Sequence, residues 1–420
     1  MRKSLIVLLV SAVALLAEAI DWHQTTRLPR ASWRHACTSA GSRIYFLGGG
    51  EGPESSCDHA VVNPDGTLGA WVSTTPMPVN VGWFSADATA GHIYVCGGWN
   101  LGGLTSSVWY AAFDSAGGIN TWLRGTSLPA ALYTQGAVLV DSNLYVVGGA
   151  TGVGSPTVAN VRYARVQPDG SLGPWTETST LPEPLRIMGV AAKDSWLYSV
   201  GGRNQDGNAV SSACFARRAA DGSLGPWTAT TSLPQASDGL TCAVVGERIY
   251  AVGGWGAGPL SSVYSAQVNP DGTLGNWSTE TPLPVQCWAA DGLAVNSRIY
   301  VPGGYVSSPQ VDVYYSSTLT GLTDLPATTP AFAIAVTPNP IQGGLTTLHL
   351  GPALPCRARS SSDPIAVTVY DAAGSRVWQS SFATGRPAVR LDLASLRAGA
   401  YLLRVSSAGQ TITQRIVLLH

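Results

Sequence analysis

Along the first three quarters of this 420-residue chain, short apolar runs alternate with Gly- and Pro-rich breaks too closely spaced for long helices. The runs recur in register. Tandem Gly pairs fall at 48–49, 97–98, 148–149, 201–202, 253–254 and 303–304, and each follows an apolar tetrad with Tyr second, from Ile44-Tyr45-Phe46-Leu47 to Ile299-Tyr300-Val301-Pro302. Nineteen residues before each pair stands a Pro (29, 78, 129, 182, 234 and 284), and seven before that a Trp (22, 71, 122, 175, 227 and 277). These spacings do not vary, whereas the stretch from each Gly pair to the next Trp does. That is the signature of repeated units with one variable loop.

Each unit predicts four strands. Strand A is the small, apolar run after the Pro (Gly136 to Val140 in the third unit), and strand B is the Tyr run ending in Gly-Gly. Strand C is typified by Val263 to Ala266, and strand D begins at the repeat Trp. Between C and D the same turn recurs as Pro64-Asp65-Gly66, Pro168-Asp169-Gly170, Asp221-Gly222 and Pro270-Asp271-Gly272. Pro presets φ at the first corner and Gly takes the left-handed one, so this is hairpin chemistry. The sixth unit has a C strand (Val311 to Ser316) but no Trp after it, while Trp22 precedes the first Pro with no Gly pair before it. The N-terminal strand is therefore expected to complete the sixth unit, pairing first and last strands and removing exposed edges.

Composition agrees with an all-β reading: 48 Gly, 27 Pro, 14 Trp and 15 Tyr, with only 12% charged residues. An apolar fraction of 45% at net charge −1 excludes a solvated disordered chain, and so even a charge balance argues against a nucleic-acid partner. Arg2 and Lys3, the apolar stretch from Leu5 to Leu16, and Ala17-Glu18-Ala19 read as a secretory signal over 1–19. No later run is long enough for a membrane span. Seven cysteines (37, 57, 96, 214, 242, 287 and 356) lie mostly in apolar runs without C-x-x-C spacing, so buried thiols are expected rather than a metal cage. One disulfide stays open. No cofactor motif is present.

Four-stranded units of about 50 residues with Gly-Gly after strand B resemble kelch repeats, which build β-propellers. The resemblance covers residues 20–324 in six copies and implies a six-bladed ring closed by its N-terminal strand. After a linker over 325–336, the texture and charge change: residues 20–330 carry 14 basic and 21 acidic groups, whereas 331–420 carry 8 Arg and 3 Asp. Alternating runs such as Ala366 to Tyr370 and Tyr401 to Val405 predict a small immunoglobulin-like sandwich over 337–420. Thr337-Pro338-Asn339-Pro340, Val369 to Gly374, Leu396 to Tyr401 and Gln414 to Leu418 come in the order that resembles the C-terminal sorting domains of bacterial type IX secretion. The stretch Cys356 to Asp363 and the final Leu419-His420 depart from that pattern. The resemblance implies the type IX machinery as partner and a secreted or outer-surface location.

In kelch-like rings the D–A and B–C loops share one face around the central channel. Four residues past each Pro lie Trp33, Gly82, Tyr133, Arg186, Asp238 and Trp288, with Arg34 and Trp83 at the next position. The B–C loops begin with Gly50, Trp99, Ala150, Arg203, Trp255 and Tyr305. Such diversity inside a repetitive scaffold is expected of a binding rim. Aromatic rings beside Arg, Asn100, Asn204 and Asp206 suit sugar rings or peptide side chains, although each aromatic taken singly is as well explained by packing between blades. The expected role is binding an extracellular glycan or protein. The alternative is a carbohydrate-active enzyme, a sugar epimerase or glycoside hydrolase on the same face, with acid–base pairs such as His35 and Glu183 or Asp291 and Arg186. The repeated Asp-Gly turn is only faintly similar to the sialidase Asp-box. No arginine triad with a Tyr/Glu nucleophile pair accompanies it.

Overall fold

The computed structural model describes residues 20–319, apart from 51 and 153–155, and residues 334–419 apart from 338–340, 343–344, 351–364, 371–375, 383–387 and 408–409. The signal segment 1–19, most of the linker and the stretch 356–363 lie outside the described residues. The described elements are all strands and turns, and no helix among them is long and apolar enough to cross a membrane. The chain divides into two compact units after Thr323.

The first unit holds six four-stranded antiparallel sheets. Blade 1 runs Ala36–Ala40, Arg43–Leu47, Cys57–Val61 and Val72–Thr74, the predicted A to D order. Blades 2 to 5 repeat it. In blade 6, strand C (Val313–Ser316) pairs with the N-terminal strand Trp22–Gln24, setting Trp22 opposite Ser316 and Gln24 opposite Tyr314. The expected closure is formed.

No blade has a core of its own. The apolar interior is six clusters, each shared by two neighbouring blades; Ile44 and Phe46 of blade 1, for example, pack with Val295, Tyr300 and Val313 of blade 6. Two polar belts also tie neighbouring blades together. Every repeat Trp donates its indole N–H, at 2.8–3.3 Å, to a carbonyl four residues past the preceding blade's repeat Trp. Trp22 bonds Thr281 O, and Trp71 bonds Thr26 O, so the belt closes through the N-terminal strand. The strand-B hydroxyls of Tyr45, Tyr94, Tyr145, Tyr198 and Tyr300 donate to Gly117, Gly170, Gly222, Gly272 and Gly66, the turn glycines of the next blade. Tyr250 faces blade 6, whose C and D strands come from opposite ends of the unit and share no turn. The Asp-Gly turns are thus acceptors for a buried tyrosine. A Cβ on Gly170 would stand 2.2 Å from the His92 ring, so the residue must be glycine for space as well as for its φ of +84°.

The second unit packs a three-stranded sheet (Ile334–Thr337, Leu345–Leu350, Ala388–Asp392) against a five-stranded one that includes Ile365–Tyr370, Gly399–Ser407 and Gln410–Leu419. Val367, Val369, Leu403 and Val405 alternate into its core with Leu348 and Leu391 from the facing sheet. Its first strand starts at Ile334, three residues inside the stretch expected to be linker, because Ile334 to Thr337 pair with Thr347 to Leu350. The six cysteines of the propeller are free, and all but Cys242 are buried.

Trp22→Phe keeps the strand and removes one belt bond, so a loss of about 1 kcal/mol is expected. Deleting residues 20–28 removes the whole fourth strand of blade 6 and is expected to lower the thermal unfolding midpoint far more. A truncated protein that unfolds with the full chain contradicts closure by this strand.

Candidate functional site

The two variable positions of each unit meet across a backbone bridge. Trp33 faces Gly50, Gly82 faces Trp99, Tyr133 faces Ala150, Arg186 faces Arg203, Asp238 faces Trp255 and Trp288 faces Tyr305. The next residue in each D–A loop, Arg34, Trp83, Thr134, Ile187, Gly239 or Ala289, has φ between +53° and +64°. Five of the six are not glycine, and β-branched Thr134 and Ile187 rarely adopt this conformation. It is held by a belt of amide-to-carbonyl bonds from blade to blade, Trp83 to Arg34, Thr134 to Trp83, Ile187 to Thr134, Gly239 to Ile187 and Ala289 to Gly239, at 2.8–3.0 Å. These six residues form a collar at the channel mouth.

Above the collar, aromatic rings from blades 1, 2, 5 and 6 converge. Trp288 is the hub: its ring centroid lies 5.5 Å from Trp33, 5.9 Å from Trp83, 5.3 Å from Trp255 and 6.1 Å from Tyr305. Trp33 also meets Trp83 at 5.5 Å and Tyr305 at 4.7 Å. All five are partly exposed. The Arg34 guanidinium lies 3.6 Å from the centroid of Trp33 and 5.3 Å from that of Trp83. Trp99 stays apart on a short hairpin with Leu104 and makes no ring contact with the cluster.

The polar half of the mouth is wired differently. Asp238 is fully buried; one carboxylate oxygen accepts two bonds from Arg203 at 2.7 and 2.9 Å, the other the Trp288 indole at 2.9 Å. It therefore clamps Arg203 and the aromatic hub rather than facing a ligand, which corrects its expected place among ligand-binding side chains. Tyr133 is buried as well; it accepts from Arg186 at 3.3 Å and donates to Gly152 O. Asn100 and Asn204 accept from backbone amides of their own loops, so they shape turns.

From the collar inward the channel holds a cavity of about 130 Å³, lined by the collar residues together with His35, Ser85, Gln135 and Asp291, room for about four waters. Neither proposed acid–base pair forms. His35 packs edge-on against Phe46, and burial, then the Arg30 charge, lowers it to about 3. Glu183 instead accepts from Ser212. Asp291 accepts the Cys37 amide at 2.9 Å, and burial raises its carboxyl to about 7, with a further push from the charge of Asp87. Sequence reasoning passed over Asp87, a carboxylate within an innermost strand that accepts from Thr38, Ala88 and Leu139 and is raised by burial. Both carboxylates satisfy amides on the channel-facing edge of a neighbouring blade. A carboxylate within a small, apolar strand-A run was the available signal. Among the described residues no group of three or more His, Cys, Asp or Glu is placed to hold a metal.

Six four-stranded blades around a channel, with a variable collar, define a β-propeller. Residues 335–419 match the family described as the secretion system C-terminal sorting domain. Over 240 residues the chain is 26% identical to kelch-like protein terF of Aspergillus terreus, covering 53% of this chain and 50% of that one. It is 24% identical over 191 residues to kelch-like protein 35 of Mus musculus, covering 46% of this chain and 30% of the other. The chain thus spans half or less of the length of these curated relatives. The solved structure of YjhT superposes with a TM-score of 0.58 at 12% identity, over 69% of this chain and 95% of that one. The protein is a kelch-repeat β-propeller with a type IX C-terminal sorting domain.

Asp238→Ala leaves Arg203 and Trp288 without their shared acceptor and is expected to cost about 3 kcal/mol in chemical unfolding. Asp291 binds a proton in the folded state that the unfolded chain lacks between about pH 4 and about pH 7. Stability is therefore expected to fall as pH rises through that window and then level off. In Asp291→Asn this component disappears; identical melting-temperature profiles for the two proteins would contradict the assignment.

Proposed function

We propose that this exported protein is a binding protein whose propeller mouth takes an extracellular glycan or protein and performs no chemistry of its own. Export follows from the sorting domain, which makes the type IX machinery its handling partner. The observation that carries the binding reading is the aromatic cluster: five partly exposed rings from four blades, gathered on Trp288 at a channel mouth to which all six blades contribute. Large rigid rings supply contact area at little cost in conformational freedom. The enzyme alternative has less support, since His35, Glu183, Asp291 and Arg186 each have other neighbours and do not pair.

A glycan array and a pull-down from the organism's surroundings, both with the purified protein, supply ligands; any hit is then assayed for turnover. Trp288→Ala and Trp33→Ala are each expected to weaken the hit by roughly ten- to a hundredfold. Unchanged affinity in both variants removes the mouth as the binding face, and turnover lost on changing Asp291 or His35 favours the enzyme. Residues 325–420 fused to a reporter are expected to carry it to the outer surface of a type IX-competent host. Retention in the periplasm contradicts the export role.

A further inference from the structure

Three guanidiniums stand at the mouth, and only one is neutralised. Arg203 is paired with buried Asp238. Arg34 and Arg186 have no carboxylate partner among the described residues. Arg34 stands over the Trp33 ring, Arg186 donates one bond to the Tyr133 hydroxyl, and each keeps a buried Nε without a hydrogen-bond partner. A buried donor left open requires an explanation, more so when two positive charges stand open on a unit with an excess of acidic residues. They rise from blades 1 and 4, on opposite sides of a six-bladed ring.

We propose that the mouth binds a linear polysaccharide bearing repeated carboxylate or sulfate groups, lying across the collar between Arg34 and Arg186 with its sugar rings on the tryptophans. The cavity below, about 130 Å³, falls short of the roughly 300 Å³ at which pockets begin to enclose a drug-sized ligand, too little for a chain of sugars. A sugar ring therefore stays above the collar, and a chain, unlike a single residue, reaches both charges. Guanidinium forks match carboxylate and sulfate oxygens in pairs. The face of a pyranose ring, lined with C–H bonds, fits the flat indoles, and the planes of Trp33 and Trp288 are tilted 48° apart, so successive sugars meet differently oriented platforms. Burial already depresses Arg34 below its usual value; an arriving anion relieves this.

This inference rests on the mouth being the binding face, and one experiment separates the two. The intact protein is titrated calorimetrically, at low and at raised salt, with an oligogalacturonate, a sulfated oligosaccharide, a neutral cello-oligosaccharide and an oligoglutamate. One or both anionic saccharides are expected to bind about tenfold or more tighter than the neutral chain, less so in salt. Arg34→Gln and Arg186→Gln are each expected to lose about tenfold and most of the salt dependence; Arg186→Gln serves as the check on Arg34, whose φ is positive, and unfolding midpoints confirm both fold. Equal binding of the neutral chain, or Gln variants that bind like the parent, overturns the inference yet leaves the mouth as binding face. Preference for oligoglutamate, or no binding by any saccharide, overturns it too. Anionic saccharide binding unaffected by Trp288→Ala places the ligand elsewhere, and both readings then fail.

Discussion

Every blade of this propeller lacks an interior. Each sheet buries its two faces only against its neighbours, and the six apolar clusters are all shared between adjacent blades. The ring therefore exists as a whole or not at all. Polar groups at the seams must find donors and acceptors on the next blade, because buried backbone groups left open cost about 1–3 kcal/mol each. The indole belt, the tyrosine–glycine belt and the collar belt meet that demand at three places along the seam.

The belts differ in what they ask of the sequence. The outer two use side chains, an indole and a phenol, so Trp, Tyr and the accepting Gly recur almost without exception. The collar joins backbone to backbone. Its positions require only a tolerated left-handed φ, which leaves the side chain free, and Arg, Trp, Thr, Ile, Gly and Ala all occur there. Variation at the mouth is thus permitted by the same hydrogen bonds that hold the mouth together. A Cβ on Gly239 would lie 2.3 Å from the Trp288 indole nitrogen, so here absence of a side chain makes room for the aromatic hub.

This division explains what could be read in the chain. Invariant spacing from Trp to Pro to Gly-Gly exposed the blades, their strand order and the closure through Trp22, because side-chain bonding leaves a residue-type signature. The pairing of the two variable loops was half visible: both positions stood out, but their opposition across one bridge needed the backbone path. Asp238 looked like a ligand contact, since nothing in its loop shows that Arg203 and Trp288, 35 and 50 residues away, converge on it. His35 and Glu183 looked like an acid–base pair for the converse reason: chemistry-bearing residues in similar loops need not face each other. Left-handed Ile187 and Thr134 were invisible, since local propensity argues against them and only the belt imposes them.

Closure through the N-terminal strand also sets a clock. Trp22 meets Ser316 across nearly the full length of the propeller, so a chain travelling N-terminus first holds its earliest strand unpaired until almost three hundred further residues have emerged. Until then blade 6 lacks its outermost strand and the shared cluster between blades 6 and 1 is missing. Contacts this distant in sequence form slowly. Ring closure is thus the step that waits longest, because it joins the first strand of the propeller to its last.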